Sequence, residues 1–185
     1  MNTKHSRKVP VAAPSDDELE ELARKHIAFE VLALIDSLGL GVAGPTPRAR
    51  HLGPGISRHL MASHDLLIHT RALAGFLACS EKTCPGWRHR NDVEARHYAP
   101  HWGGRDVLGA EKDQIDKALA HISRKRPAVG KIPEAKRTEL GFSVLRGLKK
   151  FFGELPNGRR AWFTQSEAAV REALSAEGAR QGEDS

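Results

Sequence analysis

Apolar side chains recur along this chain every three or four residues, the period of a helix with one face turned to a core. The pattern is densest over 56–79, ISRHLMASHDLLIHTRALAGFLAC, where Leu66, Leu73 and Leu77 share a stripe with Leu67 and Ala74 beside them. That spacing predicts the central helix of a packed bundle. His69 falls on one flank of the stripe and Arg71 on the other. Asp65 precedes His69 by one turn, where a carboxylate orients or charges an imidazole.

The remaining elements follow from the same period and its punctuation. Ser15 and Glu18 have the spacing of a capping box and open a helix over 16–38. Its buried side is Leu19, Leu22, Ala23, His26, Ile27, Leu34, Ile35 and Leu38, with His26 and Glu30 one turn apart and able to pair. Five glycines and three prolines make 39–55 a loop. After the central helix, 80–106 is rich in Pro, Gly, Trp and His and holds at most a short helix near 92–98. A third helix is predicted over 108–125, with Ile115, Leu119 and Ile122 as its stripe and Pro127 as its stop. Pro133 begins a fourth, whose Leu140, Val144, Leu148, Phe151, Phe152 and Leu155 are buried, although Gly141, Gly147 and Gly153 weaken it. Pro156-Asn157-Gly158 turns the chain, and Thr164 with Glu167 forms a second capping box opening a last helix over 165–177.

No segment alternates with the period of a strand. The expected fold is therefore all-α, a four- to five-helix up-down bundle with a long Pro/Gly/His-rich connection laid across it. A disordered basic arm at 1–14 precedes a single helical domain at 15–177, and a polar tail occupies 178–185. The 185 residues suffice to bury a proper core.

Composition adds charge to this picture. Lys and Arg number 29 against 23 Asp and Glu, for a net charge of +6 with ten His in reserve. The resulting pI of about 9.6 favours a polyanion as partner. The basic residues are spread through the chain, among them Arg48, Arg50, Arg88, Arg90, Arg105, Arg124, Lys125 and Arg126. The start has Lys4, Arg7 and Lys8 but no apolar run behind them, so no secretory signal is read there, and no segment is long and apolar enough to span a membrane. Two cysteines make no disulfide framework, so free thiols and a cytoplasmic setting are expected.

Three residue sets carry candidate chemistry. Cys79, Cys84, His97 and His101 match the ligand spacing of a two-Cys, two-His zinc finger. The small apolar core of a finger is missing, because its positions are Arg88 and Glu94, and Pro100 breaks the helix between the two histidines. No metal or other cofactor is therefore expected, and a zinc-dependent DNA-binding domain ranks last.

The second set is Arg90, Asn91 and His97, an Arg-x6-His motif with a polar residue after the arginine. It resembles the motif of the HEPN superfamily, all-helical domains of bacterial defence and toxin systems. The resemblance implies metal-independent RNA cleavage across a homodimer, with His97 helping to activate a ribose 2′-hydroxyl and Arg90 holding the phosphate. That superfamily carries its motif on a long helix, whereas here it lies within 80–106.

The third set spans about 56–126. Leu67-Ile68-His69-Thr70-Arg71-Ala72-Leu73, then Asn91-Asp92-Val93-Glu94-Ala95, then Leu119-Ala120-His121-Ile122-Ser123-Arg124-Lys125-Arg126 resemble an L-H-x-R-x-L, D-V-x-A, A-H-L-(S/T) signature of an uncharacterised bacterial all-helical family. The resemblance implies a family and no activity; it suggests that His69, Arg71, Asp92 and His121 belong to one arrangement, with His69, Asp92 and His121 as its polar network, while the basic Arg71, Arg124 and Arg126 are separate candidates for nucleic-acid contacts. The leading functional expectation is a HEPN-like protein that acts on or binds RNA. The alternative is a non-catalytic helical module that binds a partner or nucleic acid.

Overall fold

Helices alone make up the computed structural model, which describes residues 14–39, 58–79, 93–120 and 132–183; no strand occurs among the described residues. The first capping box forms as its spacing predicts. Glu18 N–H donates to Ser15 Oγ at 3.3 Å, and Ser15 N–H donates to the Glu18 carboxylate at 2.8 Å. Asp16–Leu22 (α1) follows, then one π-helical stretch, Ala23–Ile27, then Ala28–Ser37 (α2).

The π stretch adds a residue to one turn and rotates everything beyond it relative to α1. The predicted partnership of His26 and Glu30 is lost as a result. His26 is exposed, and Glu30 turns instead toward His69 of the next helix, Arg58–Ala78 (α3), at 2.7 Å. Asp65 is likewise not the partner of His69. The stripe itself holds, because Leu66, Leu67, Leu73, Ala74 and Leu77 are all buried.

Glu134–Glu154 (α6) runs unbroken through Gly141, Gly147 and Gly153, and buries every apolar residue its period assigns to the core. Two of those glycines mark close approaches. A Cβ on Gly141 would lie 3.0 Å from Leu38 and 3.2 Å from Leu66; one on Gly147 would lie 2.9 Å from Leu77 and 3.1 Å from Val107. Phe151, fully buried at the centre, meets the rings of Phe76 at 5.2 Å, Phe163 at 5.5 Å and Trp102 at 5.7 Å.

These contacts also set the helix directions. Glu30 meets His69 while Leu38 approaches Leu66 beside Gly141, so α2 and α3 are antiparallel. Gly141 lies near Leu66, and Gly147 and Phe151 near Leu77 and Phe76, so α3 and α6 are parallel. Thr164–Glu183 (α8) returns against α6, with Phe152 near Phe163 and Arg146 paired to Glu177 at 2.9 Å. Parallel neighbours need a connection as long as the bundle itself, roughly 30 Å for a helix of this length. The stretch between α3 and α6 supplies that return, and its described residues carry two further α-helices, Ala95–Tyr98 (α4) and Lys112–Ala120 (α5). It also closes the end of α3: Trp102 Nε1–H donates to Leu77 O at 2.8 Å and Arg105 N–H to the same oxygen at 2.9 Å. Such terminal carbonyls have no partner inside their own helix.

Two expectations are corrected here. Thr164 is not an N-cap. Helix begins earlier, at Asn157–Arg160 (α7), and continues through a 3-10 turn at Ala161–Phe163, so Thr164 Oγ1 donates back to Ala161 O at 3.0 Å. Glu167 meanwhile is drawn to Arg160 and Arg171. The second correction concerns Cys79, which is buried at the end of α3 and disulfide-bonded, where a free thiol was expected. Spacing alone does not show which sulfurs the chain path brings within bonding distance.

Candidate functional site

Of the HEPN-like residues, His97 is described and Arg90 and Asn91 lie outside the described residues, as do Asp92, His121, Arg124 and Arg126. His97 sits on α4, a helix of four residues that no propensity would hold together alone. Its imidazole closes the start of that helix, with His97 Nδ1 accepting from the Glu94 N–H at 2.9 Å. This is the part a Glu or Gln side chain plays in an ordinary capping box. An Nδ1 that accepts from a backbone amide leaves the ring proton on Nε2. Burial is the main influence on the imidazole and lowers its pKa; Glu94 opposes the shift and Arg96 adds to it. The resting group is a neutral ring used as a strut.

The other end of α4 is held by Arg159 of α7. Its Nη1 donates to His97 O at 2.6 Å and Tyr98 O at 3.2 Å, its Nη2 to Asp16 at 2.6 Å, and the guanidinium stands 5.8 Å over Trp162. Tyr98 itself is fully buried against Phe163, with its hydroxyl donating to Leu19 O at 3.0 Å. Burial raises the phenol pKa well above its ordinary value, so the hydroxyl stays protonated as that bond requires. Arg159 is the functional-looking residue that sequence reasoning missed. Its one advance signal was a pair of arginines beside the Pro156-Asn157-Gly158 turn.

His69 and Arg71 part company as their flanks predict. His69 is 6% exposed, paired to Glu30 and set edge-on to Phe29 at 5.9 Å between ring centres. Arg71 is exposed and ion-paired to Asp116 of α5, fastening α5 to α3. Neither imidazole is near the other's partners, so the structure places His69 and His97 in separate, locally satisfied arrangements.

Positive charge gathers elsewhere. Arg146, Lys149 and Lys150 stand at i, i+3 and i+4 on the exposed side of α6, one turn from its open Gly153. Arg105 joins them from the return segment, its Cδ 3.7 Å from where a Cβ on Gly147 would be. Arg146 is bound to Glu177, whereas Arg105, Lys149 and Lys150 have no carboxylate partner among the described residues. A shallow notch of about 350 Å³ lies beside α8, lined by Asn157, Arg160, Thr164, Glu167 and Arg171. Both of its arginines are already committed to Glu167, whose carboxyl they hold below the usual range, Arg160 foremost.

Among the described residues no three or more His, Cys, Asp and Glu side chains group so as to hold a metal ion, and a sulfur tied in a disulfide has no thiolate to offer zinc. No helix of the described residues is long and apolar enough to cross a membrane. No protein-family model matches the chain, and neither a curated protein nor a solved structure matches it.

Proposed function

We propose that this protein is a non-catalytic helical module that binds RNA through the basic side of α6. The observation that carries the proposal is the exposed group Arg105, Arg146, Lys149 and Lys150, three of them without an acidic partner among the described residues. Cations on one convex face attract phosphates and gain affinity by releasing the counterions those phosphates hold. RNA is the polyanion that the HEPN resemblance implies, and a flexible single strand adapts to charges on a rounded helix better than a rigid duplex does. Cleavage is set aside because the imidazole of His97 is engaged in closing α4 and carries its proton on Nε2. In that form it is not placed to take a proton from a ribose hydroxyl.

The test is fluorescence anisotropy with a labelled single-stranded RNA across a salt series. Three or four phosphate contacts predict a slope of log affinity on log salt of about −2 to −3. The double substitution Lys149→Glu, Lys150→Glu should weaken binding at least about tenfold and leave helix content unchanged. Binding that ignores salt, or survives the double substitution intact, removes α6 from this role. RNA cleavage that disappears in a folded His97→Ala variant restores the ribonuclease.

A further inference from the structure

Two guanidinium groups share a single carboxylate at the notch beside α8. Glu167 accepts from Arg160 twice, from Nε at 2.9 Å and from Nη2 at 2.5 Å, whereas Arg171 reaches the same Oε1 with one nitrogen at 3.2 Å. Among the described residues no other carboxylate lines the notch, which therefore carries one positive charge that nothing there balances. The two arginines also differ in how firmly they are held. A guanidinium bound through two nitrogens is fixed in position and plane. A single bond from a side chain 69% exposed, to a carboxylate one helical turn away, fixes very little. Arg160 and Glu167 thus form a wall, and Arg171 is the cation able to turn toward a guest.

Unused donors face the same space. Arg160 Nη1, two nitrogens of Arg171 and the side-chain amide of Asn157 have no acceptor among the described residues. They come from α7 and α8, so they meet a guest from two sides. Only the small side chains of Ala161 and Ala168 stand between them, and the volume of about 350 Å³ is enough for a phosphate with a sugar attached. A carboxylate offers two oxygens in one plane. A phosphomonoester offers three around a tetrahedron with more charge, which suits donors arriving from two sides and a notch with a cation to spare.

We propose that this notch binds a phosphomonoester, held between Arg171 on one side and Arg160 Nη1 with Asn157 on the other. Glu167 sets Arg160 in place and competes with the guest for Arg171. The phosphate belongs either to a free molecule of nucleotide size or to the end of an RNA strand. The inference is independent of RNA binding by α6, since the notch uses none of Arg105, Arg146, Lys149 and Lys150.

Titration of the isotope-labelled full chain with adenosine monophosphate, at constant ionic strength and followed by amide shifts, tests this. The nucleotide should shift amides over 157–171 saturably, and adenosine and acetate should not. Arg171→Gln should weaken the nucleotide at least about tenfold with circular dichroism unchanged. Glu167→Gln removes the competitor and should tighten binding severalfold, whereas Glu172→Gln, the same change of charge on an exposed residue outside the notch, should leave it unaltered. Single-stranded RNA with and without a 5′-phosphate separates the two sources. A preference for the phosphorylated strand that Arg171→Gln abolishes and Lys149→Glu, Lys150→Glu retains assigns the notch to an RNA end; nucleotide shifts without that preference assign it to a free phosphate. Absence of both, with the nucleotide taken to about 10 mM, overturns the proposal. Adenosine or acetate binding as well as the nucleotide overturns it too, as does binding indifferent to Arg171→Gln.

Discussion

His97 shows how much a residue's role depends on its neighbours. The same imidazole that completes an Arg-x6-His pattern in the sequence spends its Nδ1 lone pair on the Glu94 amide. Its lowered pKa has a consequence for stability. Above the unfolded value of about 6.5 the ring is neutral in both states and contributes no pH dependence. As pH falls through that value the unfolded chain takes up the proton first, so stability declines with falling pH until the folded ring is protonated as well. Urea midpoints at pH 7.5 and 5.5 should therefore differ, and His97→Gln should remove its share of the difference. His69 makes the complementary case. Its buried bond to Glu30 ties α2 to α3, and His69→Ala should cost about 1–3 kcal/mol by chemical denaturation, with RNA affinity unchanged. A stable His69→Ala protein that no longer binds RNA would move His69 from the fold to the function.

At the scale of elements, α6 holds the lesson. Its three glycines look alike in the sequence and stand in different surroundings. Gly153 has open space around the place a Cβ would take, so Gly153→Ala should follow helix propensity and stabilise by about 0.5–1 kcal/mol. Gly147 is pressed by the Leu77 side chain at 2.9 Å, itself fully buried, and by Val107 at 3.1 Å. Gly147→Ala should therefore lose about 1 kcal/mol to overpacking, despite the same gain in propensity. Thermal melts of the two variants moving in opposite directions would bear this out; both rising would show that the α3–α6 contact yields. The π stretch at Ala23–Ile27 is the other element the period does not reveal. A 3.6-residue repeat carries no sign of one extra residue, yet that residue decides that Glu30 meets His69.

The whole molecule separates two jobs by side. The junction of α3, α6 and α8 around Phe151 supplies the core, and the outer side of α6 is basic. The parallel run of α3 and α6 explains why so much of the chain lies between them, since the return must cross the length of the bundle.

Local order was legible in the sequence wherever one helix period or one cap decided it. The all-helical fold, the first capping box and the buried stripes of α3 and α6 follow from spacing alone, because the side chains concerned answer mainly to their own helix and to water. Tertiary structure decided what depends on two distant segments meeting. It chose Glu30 over Asp65 as the partner of His69 and His69 over His26 as the partner of Glu30, assigned His97 to the start of α4, bonded Cys79, and turned Thr164 from a cap into a link of a longer helix. Each of these is a choice between donors or acceptors of nearly equal chemistry, and only the path of the chain sets the distance that makes one of them win.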